Sequence, residues 1–160
     1  LDDPRIEDKV SAIFKSVDDI EYYREVMLSV PLGKPVWSYW VTSRYGTRSD
    51  PFKKTKARHK GVDLASRTGN KVNVKGQGKV IRAEYAGAYG NLVVVDHGNG
   101  FQTKYAHLNK IYVKKGDRLE INDTVGEVGS TGRSTGPHLH YEVLYKGVNV
   151  DPLPFLKAKI

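Results

Sequence analysis

The sequence predicts a mainly β protein, an antiparallel sheet or sandwich, preceded by one N-terminal helix. Three observations lead there. Apolar residues recur at helical spacing only in the first thirty positions. After Pro35 the chain breaks into short β-rich runs separated by glycine. Those runs are too short and too evenly spaced for β-α-β units.

Ile6, Val10, Ile13, Val17, Ile20 and Met27 recur at steps of three, four or seven, which gathers them on one helical face. Asp3 before Pro4 offers an N-cap with proline at the first helical position. The expected helix runs from about residue 4 to 28 and stops before Pro31 and Gly33. Its apolar stripe fits either a helix packed on the following domain or the tail of a longer helix or coiled coil. Residues 1–30 are thus expected as a helical segment and 31–160 as the β domain. Within the latter, strands are expected at Val36–Val41, Gly78–Tyr85, Asn91–Asp96, Phe101–Ala106, Thr124–Val128 and His140–Tyr145. His97-Gly98-Asn99-Gly100 reads as the turn between the third and fourth, with His97 stabilising that turn rather than binding a ligand.

Composition narrows the function classes. The chain has 160 residues, enough for one core. It has no Cys, which excludes a disulfide scaffold and a Cys-type zinc finger, so a metal must be held by His nitrogen or carboxylate oxygen. No apolar run approaches the ~20 residues of a spanning helix. Met27 is the sole methionine, so the sequence is expected to be a processed or excised piece, with any signal or anchor lying upstream. The 26 Lys and Arg exceed the 18 Asp and Glu, for a net charge of +8. Residues 1–30 carry −4 of this and residues 31–160 carry +12. Such a charge suits a nucleic-acid binder or a protein that works on another acidic polymer or surface, though by itself solubility is enough to account for it.

The chemistry points to the second. Five histidines are present: His59, His97, His107, His138 and His140. His59 and Asp63 stand four apart, a step that returns to the same face in a helix and in a strand. His138 and His140 alternate with Leu139 and Tyr141 after Gly136-Pro137, which puts both imidazoles on one face of a strand. His107 ends the run Thr103-Lys104-Tyr105-Ala106-His107, where alternation puts Thr103, Tyr105 and His107 together with Ala106 behind; by itself it reads as structural. His59, Asp63 and one of His138 and His140 make a three-ligand nitrogen and oxygen set that suits zinc and leaves a position for water. Two histidines remain for proton transfer, which is the inventory of a zinc hydrolase. No H-E-x-x-H occurs, so the helix-borne zinc-protease design is absent.

Ordered blocks carry a closer resemblance. Thr42-Ser43-Arg44-Tyr45-Gly46-Thr47-Arg48 is followed by Asp50-Pro51-Phe52, His59-Lys60-Gly61-Val62-Asp63, Tyr105-Ala106-His107-Leu108, and Gly129 through Gly136-Pro137-His138-Leu139-His140-Tyr141-Glu142, with Asp151-Pro152 at the end. From about Gly33 to Leu156 the chain resembles the lysostaphin-like, or LytM-type, zinc metallopeptidases of the bacterial cell wall. The resemblance implies an antiparallel sheet with an active-site groove and one Zn2+ per chain. It implies His59, Asp63 and His140 as ligands, and His107 and His138 as the non-ligand catalytic histidines. It also implies cleavage of peptide bonds in peptidoglycan stems or cross-links, in the bacterial envelope outside the cytoplasm. The departures, around Lys75-Gly76-Gln77 and at Asn122-Asp123, touch loops.

On the substrate side, seven basic residues and one acid, Asp50, lie from Arg44 to Lys60. Arg48, with Lys56 or Arg58, is a candidate for stem carboxylates, and Ser134 and Thr135 are candidates for the groove lining. Two rival readings are a non-catalytic wall-binding or hydrolase-activating domain on the same fold, and a nucleic-acid-binding β domain with stacking tyrosines. The second leaves the His/Asp constellation unexplained, and no nucleic-acid partner is expected.

Overall fold

The computed structural model describes residues 4–49 and 56–158. Helix α1 spans Pro4–Ser29. Strands follow as β1 (Trp40–Ser43), β2 (Gly46–Ser49), β3 (Lys56–His59), β4 (Val62–Ala65), β5 (Lys71–Asn73), β6 (Gly78–Tyr85), β7 (Asn91–Gly98), β8 (Phe101–Leu108), β9 (Lys110–Ile111), β10 (Arg118–Leu119), β11 (Thr124–Glu127), β12 (His138–Tyr145) and β13 (Val148–Val150), and α2 (Leu153–Lys157) closes the described chain. An eight-stranded sheet runs in the order β1-β4-β12-β8-β7-β6-β10, with β13 also paired to β12. A three-stranded sheet, β5-β11-β9, and the β2-β3 pair complete it. The pairings are antiparallel, as expected for hairpin-rich text.

Alternation along the strands builds two faces. Leu139, Tyr141 and Val143 of β12 join Val62 and Leu64 of β4, Tyr105 of β8, and Val93 and Val95 of β7 in one buried cluster, which also takes in Val72 and Val125 of the three-stranded sheet. The opposite face of the large sheet carries His138, His140 and Glu142, in register with Ala65, Ala106 and Lys104 of the neighbouring strands. A smaller cluster of Leu92, Val94 and Ala106, capped by Ile81, Ala86 and Tyr89, supports that face. Burying one face and leaving the other half open forms a sheet with a working surface.

One expected strand boundary is corrected. The strand expected from Val36 begins only at Trp40, because the Ser38 carbonyl accepts from the Ser66 hydroxyl and the Pro35 carbonyl from the Asn73 amide. With those groups bonded elsewhere, the backbone from 35 to 38 forms bends instead of a ladder. Of the two alternatives for the stripe of α1, packing on the β domain is not what the structure shows: Ile13, Ile20 and Met27 are 62 to 67% exposed. Only its last turn is tied down, where Leu28 O accepts from Gln77 N and the Ser29 hydroxyl accepts from Asn99. The proposed cap, Asp3, lies outside the described residues. His97 is structural, and its bond to Thr103 reaches across the hairpin. The Gly98 amide donates to Asp96 there, while buried His97 bridges Gln77 O and the Thr103 hydroxyl, each at 2.8 Å.

Candidate metal centre

His59 ends β3 and Asp63 lies in β4, so the four-residue step spans a turn rather than one helix or strand. Gly61 makes the turn fit. A Cβ there would collide with the Tyr141 carbonyl oxygen, so only glycine lets this corner approach β12. Asp63 stands in register with His140 on β12 and with Ser43 on β1. His59 Nε2, Asp63 Oδ1 and His140 Nδ1 converge: Nε2 to Oδ1 is 3.1 Å, Nδ1 to Oδ1 is 2.8 Å, and the two imidazole nitrogens are 3.1 Å apart. All three residues are buried.

The hydrogen bonds behind these atoms fix the tautomers. His59 Nδ1–H donates to Arg44 O at 2.8 Å, so Nε2 faces inward as a bare lone pair. His140 Nε2–H donates to Glu142 Oε1 at 3.0 Å, so its inward Nδ1 is bare as well. Two imidazole lone pairs and a carboxylate oxygen therefore point at one another with no donor among them. Three acceptors at this spacing repel unless a cation sits between them, and a nitrogen/nitrogen/oxygen set fits a zinc-like divalent metal. Without metal a proton must serve. Burial opposes charge on His140, but its bonds to Asp63 and Glu142 prevail and raise its pKa. Burial likewise opposes charge on Asp63, yet the bonds to His140 and His59 pull its carboxyl well below the carboxylate range.

Glu142 is a residue of this centre that the sequence reading passed over. Its side chain is fully buried and takes four donors. Oε1 accepts from Tyr89 OH at 2.8 Å and from His140, and Oε2 accepts from Asn149 Nδ2 at 2.8 Å and pairs with Lys104 Nζ at 3.1 Å. Burial works against its charge, but His140, Asn149 and Tyr89 hold its pKa down at about 2. The signal was available, because positions 138, 140 and 142 alternate on one strand face.

His107 arrives by a different route. Alternation assigned it to the face of Tyr105, inside the core. Instead β8 carries a bulge: Asn91 pairs with Leu108 and Val93 with Tyr105, so two residues of β8 oppose one of β7. His107 takes φ 60°, in the left-handed region, and its ring turns into the groove, 4.8 Å from the His138 ring and 5.9 Å from the His140 ring. Its Nδ1–H donates to Thr131 O at 2.8 Å, leaving Nε2 bare. Burial, helped by neighbouring His138 and His140 and opposed by the Thr131 bond, pushes its pKa down to about 4, so the imidazole is neutral. His138 Nδ1 donates to Gly136 O at 2.8 Å, and its Nε2 stands 3.7 Å from Asp63 Oδ1. The groove therefore holds a three-donor centre with two further imidazoles beside it.

The surrounding cavity, about 560 Å³, is lined among others by Thr42, Ser43, Arg58, Lys60, Tyr89, Arg133 and the 134–137 turn. Ser134 and Thr135 both line it, and the Ser134 hydroxyl also ties the turn by donating to Gly136 O. Arg58 donates to Tyr45 OH. Arg48 is placed by its backbone alone, in β2 opposite Ala57, and Asp50 lies outside the described residues.

Comparison with known proteins agrees with this architecture. Over 128 residues the chain is 41% identical to the peptidoglycan DD-endopeptidase ShyA of Vibrio cholerae, covering 79% of this chain but 29% of that protein. The chain thus spans less than a third of such curated relatives. Among solved structures, a zinc-containing peptidase from Vibrio cholerae aligns with a TM-score of 0.68 at 35% identity, over 82% of this chain and 40% of that one. The catalytic domain of lysostaphin from Staphylococcus simulans aligns with a TM-score of 0.69 at 32% identity, over 75% and 93% of the two chains. Residues 57–152, from within β3 just before His59 to beyond β13, match Peptidase family M23, and the chain belongs to that family.

Proposed function

We propose that the protein is a zinc-dependent endopeptidase that hydrolyses peptide bonds in peptidoglycan stems or cross-links in the bacterial envelope. The observation that carries this reading is the convergence of three proton-free donors beside two imidazoles with inward Nε2 atoms. His59, Asp63 and His140 would hold the zinc, which supplies Lewis-acid polarisation of the scissile carbonyl and acidification of water. Glu142 and the Arg44 carbonyl keep the two ligand imidazoles in the tautomers that leave their inner nitrogens bare. Neutral His107 enters the cycle able to accept a proton at Nε2, from the attacking water or from the next donor in line. His138 faces the same space, so a proton taken by one imidazole has a second at hand for delivery to the leaving nitrogen. Lys60, Arg58 and Arg133 give the groove walls a positive field that favours a substrate bearing free carboxylates. The 31–160 unit carries this chemistry, with the acidic helix as an appendage.

The test is mass spectrometry of muropeptides released from purified wall, with and without chelator. New peptide termini that vanish on chelation and return with zinc support the reading. Intact cross-links after incubation with the zinc-loaded protein refute it.

A further inference from the structure

A second concave site lies beside the segment that leads into edge strand β1. It is a cleft of about 260 Å³ whose lining includes Trp37, Lys34, Lys71, Lys75, Asn70 and Asn73. Trp37 is 94% exposed, a large apolar surface left in water at the mouth of a cleft. No carboxylate lines the cleft, and neither Lys34 nor Lys75 forms an ion pair among the described residues; Lys75 donates instead to the Asn122 amide oxygen. The two asparagines add neutral groups of both kinds. Asn70 spends its N–H on the Ser66 hydroxyl and keeps its oxygen, while the oxygen of Asn73 accepts from Thr124 and its N–H stays available. An aromatic plate, two unpaired cations, and amide donors and acceptors side by side suit a ligand with apolar ring faces, hydroxyl and acetamido groups, and nearby negative charge.

The chain itself runs from the cleft to the groove. Edge strand β1 starts three residues after Trp37 and ends at Ser43, and Thr42 and Ser43 line the metal groove. From residue 38 to 43 is at most ~17 Å of extended chain. Along it Trp40 is 73% exposed, so a second indole lies on the path.

We propose that this cleft is a polymer-binding subsite that takes the amino-sugar strand of the wall, with a pyranose face on Trp37 and the carboxylates of the appended stem peptides on Lys34 and Lys75, while β1 leads toward the groove where a neighbouring stem is cut. The proposal rests on the peptidase reading for its choice of polymer, but its test does not depend on turnover.

Trp37 and Trp40 are the only tryptophans in the chain, so intrinsic fluorescence reads this surface directly. The probes are peptide-free glycan strands, which an endopeptidase cannot cut, and strands that retain uncross-linked stems, each titrated into the zinc-loaded protein. Saturable quenching or a blue shift is expected with both, tighter with stem-bearing strands. Trp40→Phe should retain the response, and Trp37→Ala should weaken binding about tenfold or more, the scale of one lost stacking contact. Lys34→Ala with Lys75→Ala should abolish the preference for stem-bearing strands. Trp37→Ala should also raise KM on intact wall while leaving cleavage of a sugar-free cross-linked stem peptide unchanged. No spectral response, a response unchanged in Trp37→Ala, or tighter binding of a single-stranded oligonucleotide of equal charge would overturn the proposal. Binding without any hydrolysis would sink the peptidase reading and leave the subsite standing; hydrolysis without binding would do the reverse.

Discussion

Glu142→Gln separates the chemistry of the centre from its scaffolding. The substitution keeps the shape and removes the charge. The native carboxylate accepts from Tyr89, His140, Lys104 and Asn149 in a site closed to solvent. A glutamine offers one oxygen, so two of those four donors then face its NH2 group. If the oxygen stays with His140 and Tyr89, the Lys104 ammonium and the Asn149 amide lose their acceptor; Lys104 is 23% exposed and can turn outward. If the amide flips, His140 loses the bond that holds its proton on Nε2, and the ring is free to carry it on Nδ1, the atom facing the metal. Hydrogen bonds to a charged group are worth ~1.5–3 kcal/mol each, so a stability loss of about 3 kcal/mol is expected in the metal-free protein. Metal affinity should fall by roughly 10- to 100-fold, the usual effect of losing the partner behind a ligand histidine. Urea unfolding in the presence of chelator measures the first quantity, and competition with a chromogenic chelator measures the second. A folded Glu142→Gln protein that binds zinc as tightly as the parent would show that Glu142 does not set the His140 tautomer.

Other outcomes follow from single contacts. His107→Ala should retain one zinc per chain and lose roughly 10²- to 10⁴-fold in kcat, as read by metal analysis beside muropeptide release; unchanged turnover would make His107 structural. With His140 as a proposed ligand, His140→Ala should abolish stoichiometric zinc, so retained zinc would refute its assignment. Gly61→Ala should cost about 3 kcal/mol by denaturant unfolding, because the added methyl meets the β12 backbone and not a yielding side chain. Burial, against opposing bonds from the Gln77 and Gly76 backbone, holds the pKa of His97 below its ordinary 6.5, so the unfolded chain binds more protons in mild acid. The contribution of His97 is therefore complete above about pH 6.5 and is lost as pH falls toward its folded value. Unfolding midpoints measured between pH 7 and 5 should drop, and should drop less in His97→Gln.

Much of this site was legible because its parts obey local rules. Period two put His138 and His140 on one face, and the core took Leu139, Tyr141 and Val143 from the other. The same period already pointed at Glu142, which was missed because a glutamate on a strand usually reads as solvent-facing. What was not legible depends on non-local geometry. The bulge that aims His107 is a mismatch in length between two strands, which neither strand records alone. Short β2 and β3 were hidden by their basic residues, since their pairing answers to the backbone and not to an apolar pattern. Val36 looked like a strand start and is indeed buried, but its neighbours' carbonyls are bonded elsewhere.

The left-handed backbone at His107 has its own consequence. A non-glycine residue held there costs of order 1 kcal/mol, and the surrounding fold carries that cost permanently. Asparagine enters this region more readily than histidine and brings an N–H that can reach the Thr131 carbonyl, but it has no ring nitrogen to offer the groove. Given the catalytic role proposed for His107, selection for folding and selection for turnover pull position 107 in opposite directions. A laboratory campaign that ranks variants of this scaffold by thermal tolerance alone would tend to enrich asparagine at that position, and so would favour sturdier proteins with an idle groove.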